Sequence, residues 1–411
     1  MAGNRRLMTC LMLMSAIAVS YGFGVYLFPA LIPMFRHDLP VGYSTIGLLL
    51  STRQVGFLVT SLAAGALANR FGCVKLVTGS CAVVCLGLAA LGMAPNITVV
   101  ALALIVLNCA AASVWIPMVP IVAAEIPEDR QAQALGFIAS GTNYGVFANG
   151  LLMTTVIPLL GWRGTFAVTT IVAVAVLLGV VSVFRRSGIH HRAEAAAVQA
   201  DSLPARTVPA APRSSIFQPR YVVLAIVAFL GGLGGIPFIS YWSSFGVEEL
   251  HLARGLVGGA WTTIGILGMA SGFIMGWLAD RHGIRAALSG AVVGLGAAAG
   301  VAVALHNSAG FVSASLLFGL TFFPIYGLIP TYIAKTADRR QAPLISGVTE
   351  GALGLGAICG SLAGAAIRAH TGEFNTVYTA IAAVCCLMLI FVGCLRSEET
   401  PNTRNSARAA R

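Results

Sequence analysis

The sequence predicts an all-α polytopic membrane protein: twelve transmembrane helices in two pseudo-symmetric six-helix bundles. Three observations carry that prediction. Of 411 residues, 57% are hydrophobic and 9% charged, whereas a soluble domain carries about a quarter charged residues. Apolar runs of about twenty residues recur from end to end, each long enough to cross a hydrocarbon layer of about 30 Å as a helix. Two separated regions also repeat at an offset close to 211 residues.

Apolar length, read against Gly, Pro and charge punctuation, places spans at 8–33, 44–68, 75–94, 97–123, 133–159 and 164–184. Six more fall at 221–245, 255–279, 286–305, 309–334, 341–367 and 375–395. The first span follows Arg5 and Arg6 as a signal peptide would, but it runs past Tyr21 to Pro33 without a small-residue cleavage site and is expected to be retained. The domain boundaries that follow are an N-terminal bundle at 1–184, a cytoplasmic linker at 185–220, a C-terminal bundle at 221–396 and a disordered cytoplasmic tail at 397–411. Pro204, Pro209, Pro212 and Pro219 keep the linker from forming a continuous helix. Its His190–His191 pair has no partner ligands nearby, so no metal site is expected there.

The net charge of +11 comes from basic residues scattered at the ends of apolar runs and in the linker and tail. This is the pattern of topology signals, without the basic stripe and interleaved aromatics of a nucleic-acid surface. Placing the N-terminus in the cytoplasm leaves only Arg36, Arg163, Arg254 and Arg368 outside. Both termini and the linker are therefore expected inside, in a multi-pass protein of the plasma (inner) membrane. The nine cysteines lie in or beside apolar runs with no metal-like spacing and read as small packing residues.

Setting residue i beside i+211 aligns Gly65-Ala-Leu-Ala-Asn-Arg-Phe-Gly72 with Gly276-Trp-Leu-Ala-Asp-Arg-His-Gly283, identical at five of eight positions. One residue off that shift, Arg130-Gln131-Ala132 meets Arg340-Gln341-Ala342, and Gly141 and Gly150 meet Gly351 and Gly360. Two copies of a six-helix unit explain both matches.

The pattern Gly-x-Leu-x-Asp-Arg-x-Gly-x-Arg/Lys between the second and third helices of a half resembles the signature loop of the major facilitator superfamily. It occurs as Gly65, Leu67, Asn69, Arg70, Gly72 and Lys75, and again as Gly276, Leu278, Asp280, Arg281, Gly283 and Arg285. Leu159-Leu160-Gly161-Trp162-Arg163, opening the sixth span, is similar to many bacterial members. The loop has its own physical logic: the glycines permit a tight turn, the basic residues sit near anionic headgroups, and an acidic residue can meet a neighbouring helix N-terminus. Contacts of this kind would hold one conformation closed and break in the other. Simple topology anchoring is the competing reading, and Asn69 in place of the usual Asp weakens a charged latch in the first half.

Two ionisable residues lie well inside their spans, Arg53 in the second and Glu350 in the eleventh. A charge at the bilayer centre costs about 2.5–3.5 kcal/mol on insertion scales, so each calls for a partner or a wet cavity. Each stands about 13.5 Å from its own membrane face, which puts the two at nearly one height. The resemblance implies that the second and eleventh helices adjoin. Three readings stay open: a structural ion pair, an anion-binding Arg53 with Glu350 as proton or counter-charge site, and unrelated placement.

The resemblance further implies a central cavity lined by the first, fourth, seventh and tenth helices. On these helices Tyr21, Tyr26, Trp115, Tyr241, Trp242 and Tyr326 are candidate walls, with Asn143 of the fifth helix a candidate hydrogen-bonding group. Packing or interface anchoring is the competing reading for each ring, and interhelical bonding for the amide. Pro29, Pro117, Pro120, Pro237, Pro324 and Pro330 free carbonyls and bend their helices, so hinges near the cavity are expected.

Gly354-Leu-Gly356-Ala-Ile-Cys359 approaches a dinucleotide-binding pattern but sits in a membrane helix without a preceding strand. Asn96-Ile-Thr98 is a glycosylation sequon in a very short outer loop and is not expected to be used. No cofactor, metal or enzymatic motif is expected. As expectations from the resemblance, the chain is a secondary transporter working by alternating access. Its partners are a small-molecule substrate, the lipid bilayer and protons, with no nucleic acid and a monomer as the simplest state. Because Arg53 is the only fixed cation in the cavity region, uptake of a small organic anion leads, as in the monocarboxylate- or cyanate-type bacterial permeases that the chain resembles. Multidrug efflux is the alternative, weakened because Val146 and Asn149 stand where exporters of the fifth-helix pattern carry Pro and Gly. Asn108 holds the place of an Arg common in proton-linked members, which leaves proton coupling open. A non-transporting receptor or scaffold is the reading from another class.

Overall fold

The computed structural model describes residues 2–187, 218–337 and 341–395. Most of the expected linker with His190 and His191, Arg339 and Arg340, and the 397–411 tail lie outside the described residues. All regular secondary structure among the described residues is helical. In chain order it comprises α1 (Arg6–Asp38), α2 (Tyr43–Phe71), α3 (Cys73–Gly92), α4 (Ile97–Glu125) and α5, which is two pieces, Glu128–Ala139 and Gly141–Thr155. It continues with α6 (Ile157–Arg185), α7 (Pro219–Glu249), α8 (Arg254–His282), α9 (Ile284–Ala304), α10 (Ser308–Thr336), α11 (Leu344–Thr371) and α12 (Asn375–Cys394). Eleven of these are long and apolar enough to cross a bilayer, and the two pieces of α5 supply the twelfth crossing.

The fifth crossing corrects the expectation of one continuous helix over 133–159. It breaks at Ser140, whose Oγ donates to the Phe137 carbonyl at 2.6 Å. A serine hydroxyl that takes a carbonyl of its own helix competes with the backbone ladder and bends it. Other interruptions follow expected causes. α4 stops at Trp115 and restarts at Met118, around Pro117, which has no N–H to give. α6 contains a non-helical residue, Gly161 (φ 63°), so the crossing proper begins after it.

Two stretches were not legible in the sequence: α1 is wound as a π-helix over Ala18–Tyr26, and α7 over Phe245–Glu249. Wider winding of this kind displaces carbonyls from the α ladder and clusters at functional sites.

The internal repeat is visible in the backbone itself. Among the described residues the glycines with positive φ are Gly72 and Gly283 (85° and 89°) and Gly161 and Gly372 (63° and 77°), each pair 211 residues apart. Gly72 N–H donates to the Ala68 carbonyl and Gly283 N–H to the Ala279 carbonyl, both at 2.9 Å. One residue thus ends the preceding helix and starts the next in each copy. Asn96 and Asn307, again 211 apart, cap α4 and α10 through bonds from Val99 N–H (3.0 Å) and Gly310 N–H (2.8 Å). The sequon asparagine is thus a helix cap. α3 packs on α4 and α6, and its counterpart α9 packs on α10 and α12.

Two compact units are present. Of the described residues, one gathers 2–187, 239–266 and 361–374, and the other gathers 218–238, 267–337, 341–360 and 375–395. α7, α8 and α11 contribute a stretch to each. In the first unit Leu13, Ile17, Val77, Val114, Ile121 and Phe184 belong to one buried cluster that joins α1, α3, α4 and α6. α1 and α5 approach so closely there that a Cβ on Gly22 would strike the backbone of Gly145, and one on Gly145 the backbone of α1. In the second unit Phe238 stacks on Phe318 at 4.3 Å, Phe318 stacks on Phe322 at 4.5 Å, and the Tyr378 hydroxyl donates to the Phe238 carbonyl at 3.1 Å.

Replacing Asn96 or Asn307 by Ala is expected to cost about 1 kcal/mol each, read as a lower melting temperature in detergent, with Asp or Ser restoring most of it. Equal melting temperatures for Asn and Ala at both positions would show that the caps do not hold the two copies.

Candidate functional site

Arg53 lies in the first half of α2, within the first unit, and is 2% exposed. Its burial is made possible by α1. Pro29 has no N–H for the carbonyl four residues back, that of Val25, and the Ala18–Tyr26 stretch is already widened from the α ladder. Arg53 Nη1 takes that carbonyl at 2.5 Å. The same widened stretch gives a second carbonyl, Gly22 O, to Asn149 Nδ2 of α5 at 2.8 Å.

Arg53 Nε is buried and has no hydrogen-bond partner among the described residues. Nor does Arg53 form an ion pair among them. Its ionisable neighbours are Tyr26 of α1, 9% exposed, and Tyr241 of α7, fully buried, both in electrostatic contact with it. Three expected site residues on three helices, Arg53, Tyr26 and Tyr241, thus interact electrostatically. The Tyr241 hydroxyl donates to the Ser361 carbonyl of α11 at 2.6 Å, which fixes its ring.

Tyr241 also belongs to a closure at the end of this unit that bears the α1–α2 turn. Its ring lies 6.3 Å from Tyr43 and 5.9 Å from Phe374, while Tyr43 meets Phe374 edge-on at 5.0 Å. Arg36 sits 4.0 Å over Tyr43, and Arg368 lies 4.7 Å over Phe374. Both carboxylate oxygens of Glu248, in the widened end of α7, converge on Arg36 Nη1 at 2.6 and 2.7 Å, and Arg36 Nε donates to the Val41 carbonyl at 3.0 Å. Next to it, Glu249 accepts the Phe374 backbone N–H. Close approach of α2 to α11 completes the closure: a Cβ on Gly47 would collide with Ala365.

None of Arg36, Tyr43, Glu248, Glu249, Arg368 and Phe374 was a candidate in the sequence, where Arg36 and Arg368 served only as orientation markers. A distant arginine and an adjacent pair of glutamates at a helix end carry no local motif; their pairing is tertiary.

The remaining candidates scatter. Tyr21 is half-buried and meets Phe57 edge-on at 6.1 Å. Trp115 ends the first piece of α4, half-buried. Trp242 is fully buried, its ring 5.7 Å from that of Phe245. Asn143 is buried on α5, and Asn108 of α4 bonds the Leu104 carbonyl of its own helix at 2.9 Å. In the second unit Tyr326 meets Phe322 edge-on at 5.1 Å. Glu350 is exposed rather than buried, and a mid-helix carboxylate is stable there only toward water or a polar partner.

Of the paired loops, Asn69, Arg70, Lys75, Asp280 and Arg281 are exposed and Arg285 is half-exposed. Arg70 lies 5.6 Å over Phe71 and Arg281 5.5 Å over Trp277, whereas Arg285 Nη2 ties α9 to the end of α12 through the Gly393 carbonyl at 2.5 Å. A Cβ on Gly65 or Gly276 would meet nothing within 4 Å, so packing does not require a glycine at either.

The Major Facilitator Superfamily model matches residues 13–350 and again 248–411. The MFS-type transporter dbaD of Emericella nidulans is 25% identical over 250 residues, 60% of this chain and 52% of that protein. The putative metabolite transport protein YwtG of Bacillus subtilis is 26% identical over 165 residues, 39% of this chain and 35% of that protein. The chain thus aligns with about half or less of the length of these relatives. A crystal structure of a point mutant of the nucleoside transporter NupG superposes with a TM-score of 0.74 at 10% identity, covering 94% of this chain and 99% of that one. That likeness concerns the fold. The doubled glycine turns, the twelve crossings and a family match that runs through both halves agree, and the chain belongs to the Major Facilitator Superfamily.

Proposed function

We propose that this chain is a secondary transporter that carries a small organic anion by alternating access, with Arg53 as the anion-binding group. One observation carries the reading: a guanidinium withdrawn from solvent, with one hydrogen bond to a backbone carbonyl and a buried Nε that has no acceptor among the described residues. A buried cation without a counter-charge is costly, so a site that keeps one gains most from an anionic ligand. The two sequence relatives carry names of transport proteins, which agrees with this reading.

In the proposed cycle the bundles 1–184 and 221–396 rock against one another, joined by the 185–220 segment, with both termini at the cytoplasmic face of the inner membrane. The Lys and Arg distribution then puts the Arg36–Glu248 closure on the outer side, where it must part for substrate to enter. Glu350 is assigned as the proton or counter-charge site: the proton role would make the uptake a symport, the counter-charge role would not, and a monomer is the simplest state for either. Multidrug efflux is the second reading, favoured by the aromatic rings beside the site and a carboxylate able to attract cations.

Arg53→Gln is expected to lower uptake of the anion into proteoliposomes by about 10- to 100-fold, the worth of a charged hydrogen bond. Unchanged anion flux together with loss of drug resistance in Glu350→Gln would favour the exporter. Glu248→Gln is expected to raise hydrogen exchange over Phe245–Glu249 by about 5-fold, because a partly exposed ion pair contributes up to about 1 kcal/mol. The swap Arg36→Glu with Glu248→Arg should return protection to that segment. Protection that is the same in all three proteins would remove the ion pair from the outer closure.

A further inference from the structure

We propose that the turn joining α2 to α3 holds the phosphate of an anionic phospholipid whose acyl chain lies along the exposed face of α2, and that the equivalent turn joining α8 to α9 lacks this preference. This goes beyond the transport reading and does not depend on Arg53 or on the direction of the cycle.

Exposed residues of α2 recur at Val55, Val59, Leu62 and Ala66, three or four apart, and Arg70 is the next position of that row. Such spacing puts them on one face of the helix. Val59 and Leu62 are 60% and 70% exposed, so the middle of the row is not covered by other described residues. The row ends in the last turn of α2, where the Arg70 guanidinium lies 5.6 Å over the exposed ring of Phe71. One lipid molecule can therefore lay its chain on the row and its phosphate on the guanidinium.

The charge around the turn selects the headgroup. Gly72 (φ 85°) ends α2 and starts α3, so Arg70 and Lys75 flank one turn, and both are exposed. Neither forms an ion pair with a described residue. Residue 69, where the second copy of the turn has Asp280, is an asparagine, and no acid occurs from 69 to 75. A phosphate answers both positive charges, whereas the ammonium of a zwitterionic headgroup meets two like charges and no carboxylate.

The repeat supplies an internal comparison. On α8, 211 residues further on, Ile266, Ala270, Phe273 and Trp277 are exposed in the same row and Arg281 follows, 5.5 Å over Trp277. The apolar part of the arrangement is thus shared. Its charge is not: the exposed Asp280 stands beside Arg281, and Arg285 gives Nη2 to the Gly393 carbonyl at 2.5 Å. A carboxylate next to the arginine repels a phosphate there, which confines the anionic preference to the α2–α3 turn.

The test is native mass spectrometry of the purified full-length chain, titrated with phosphatidylglycerol and with phosphatidylcholine of the same acyl chains, and with inorganic phosphate as the soluble control. Phosphatidylglycerol is expected to bind its first site about 10-fold or more tightly than phosphatidylcholine, and phosphate far more weakly than either lipid. Arg70→Gln, Lys75→Gln and Asn69→Asp are each expected to weaken phosphatidylglycerol about 5-fold, and Arg281→Gln to leave it unchanged. Melting temperature reports the fold of each variant. Should Arg70→Gln or Lys75→Gln not fold, Asn69→Asp against Arg281→Gln decides. Equal binding of the two lipids by the unaltered chain, or folded variants at 69, 70 and 75 that keep the full preference, would overturn the site. A loss in Arg281→Gln as large as in Arg70→Gln would replace it by a diffuse basic surface, and phosphate binding as tightly as the lipid would remove the apolar row from it.

Discussion

A proline that cannot donate and an arginine that must be satisfied are placed against each other across α1 and α2. Pro29 leaves the Val25 carbonyl without its helical partner, and Arg53 takes it at 2.5 Å. Without that carbonyl a guanidinium buried to 2% exposure would have no acceptor among the described residues, and burial of an unpaired charge is among the most destabilising things a protein can do. The widened turn over Ala18–Tyr26 belongs to the same arrangement, because it also gives Gly22 O to Asn149 and so fastens α5 to α1. The Arg53 guanidinium is therefore held by a backbone carbonyl and by no ion pair among the described residues.

That arrangement connects to the closure at the α1–α2 end through Tyr241. One residue feels the charge of Arg53, bonds α11 through Ser361 and packs on the Tyr43 and Phe374 rings. Beyond those rings the Arg36–Glu248 pair and the Glu249–Phe374 backbone bond hold the same helices. In the proposed alternating-access cycle this chain of contacts, from Arg53 to the Arg36–Glu248 pair, would be the link between ligand and closure, since a ligand moves an equilibrium only through contacts that differ between states.

Much of this was legible in the sequence, for identifiable reasons. Hydrophobic length against a bilayer is a coarse signal and survives any detail of packing, so the crossings fall where the apolar runs do. The repeat was legible because a glycine with positive φ is hard to replace: Gly72 and Gly283 stand out as residues and then as backbone angles. Arg53 stood out because a charge inside an apolar run needs a partner or a wet cavity, and Pro29 because a proline inside a helix frees the carbonyl four residues back. What the sequence hid depends on the third dimension. At the break, the Ser140 hydroxyl takes the Phe137 carbonyl, and in the widened stretch of α1 Arg53 and Asn149 of other helices take carbonyls. Arg36, Glu248 and Phe374 lie far apart in the chain and carry no motif. The Asn96 and Asn307 caps were visible at the 211 offset, but the sequon reading of Asn96 masked them.

That Arg53 is held by the carbonyl Pro29 leaves free is tested most directly by a double-mutant cycle on stability. Equilibrium unfolding in mixed micelles of the unaltered chain, Pro29→Ala, Arg53→Met and the double variant gives the coupling. Non-additivity of about 1 kcal/mol or more is expected, because an alanine N–H at position 29 competes with Arg53 for Val25 O. Effects that add to within about 0.5 kcal/mol would mean that the proline and the arginine act independently, and would contradict that dependence.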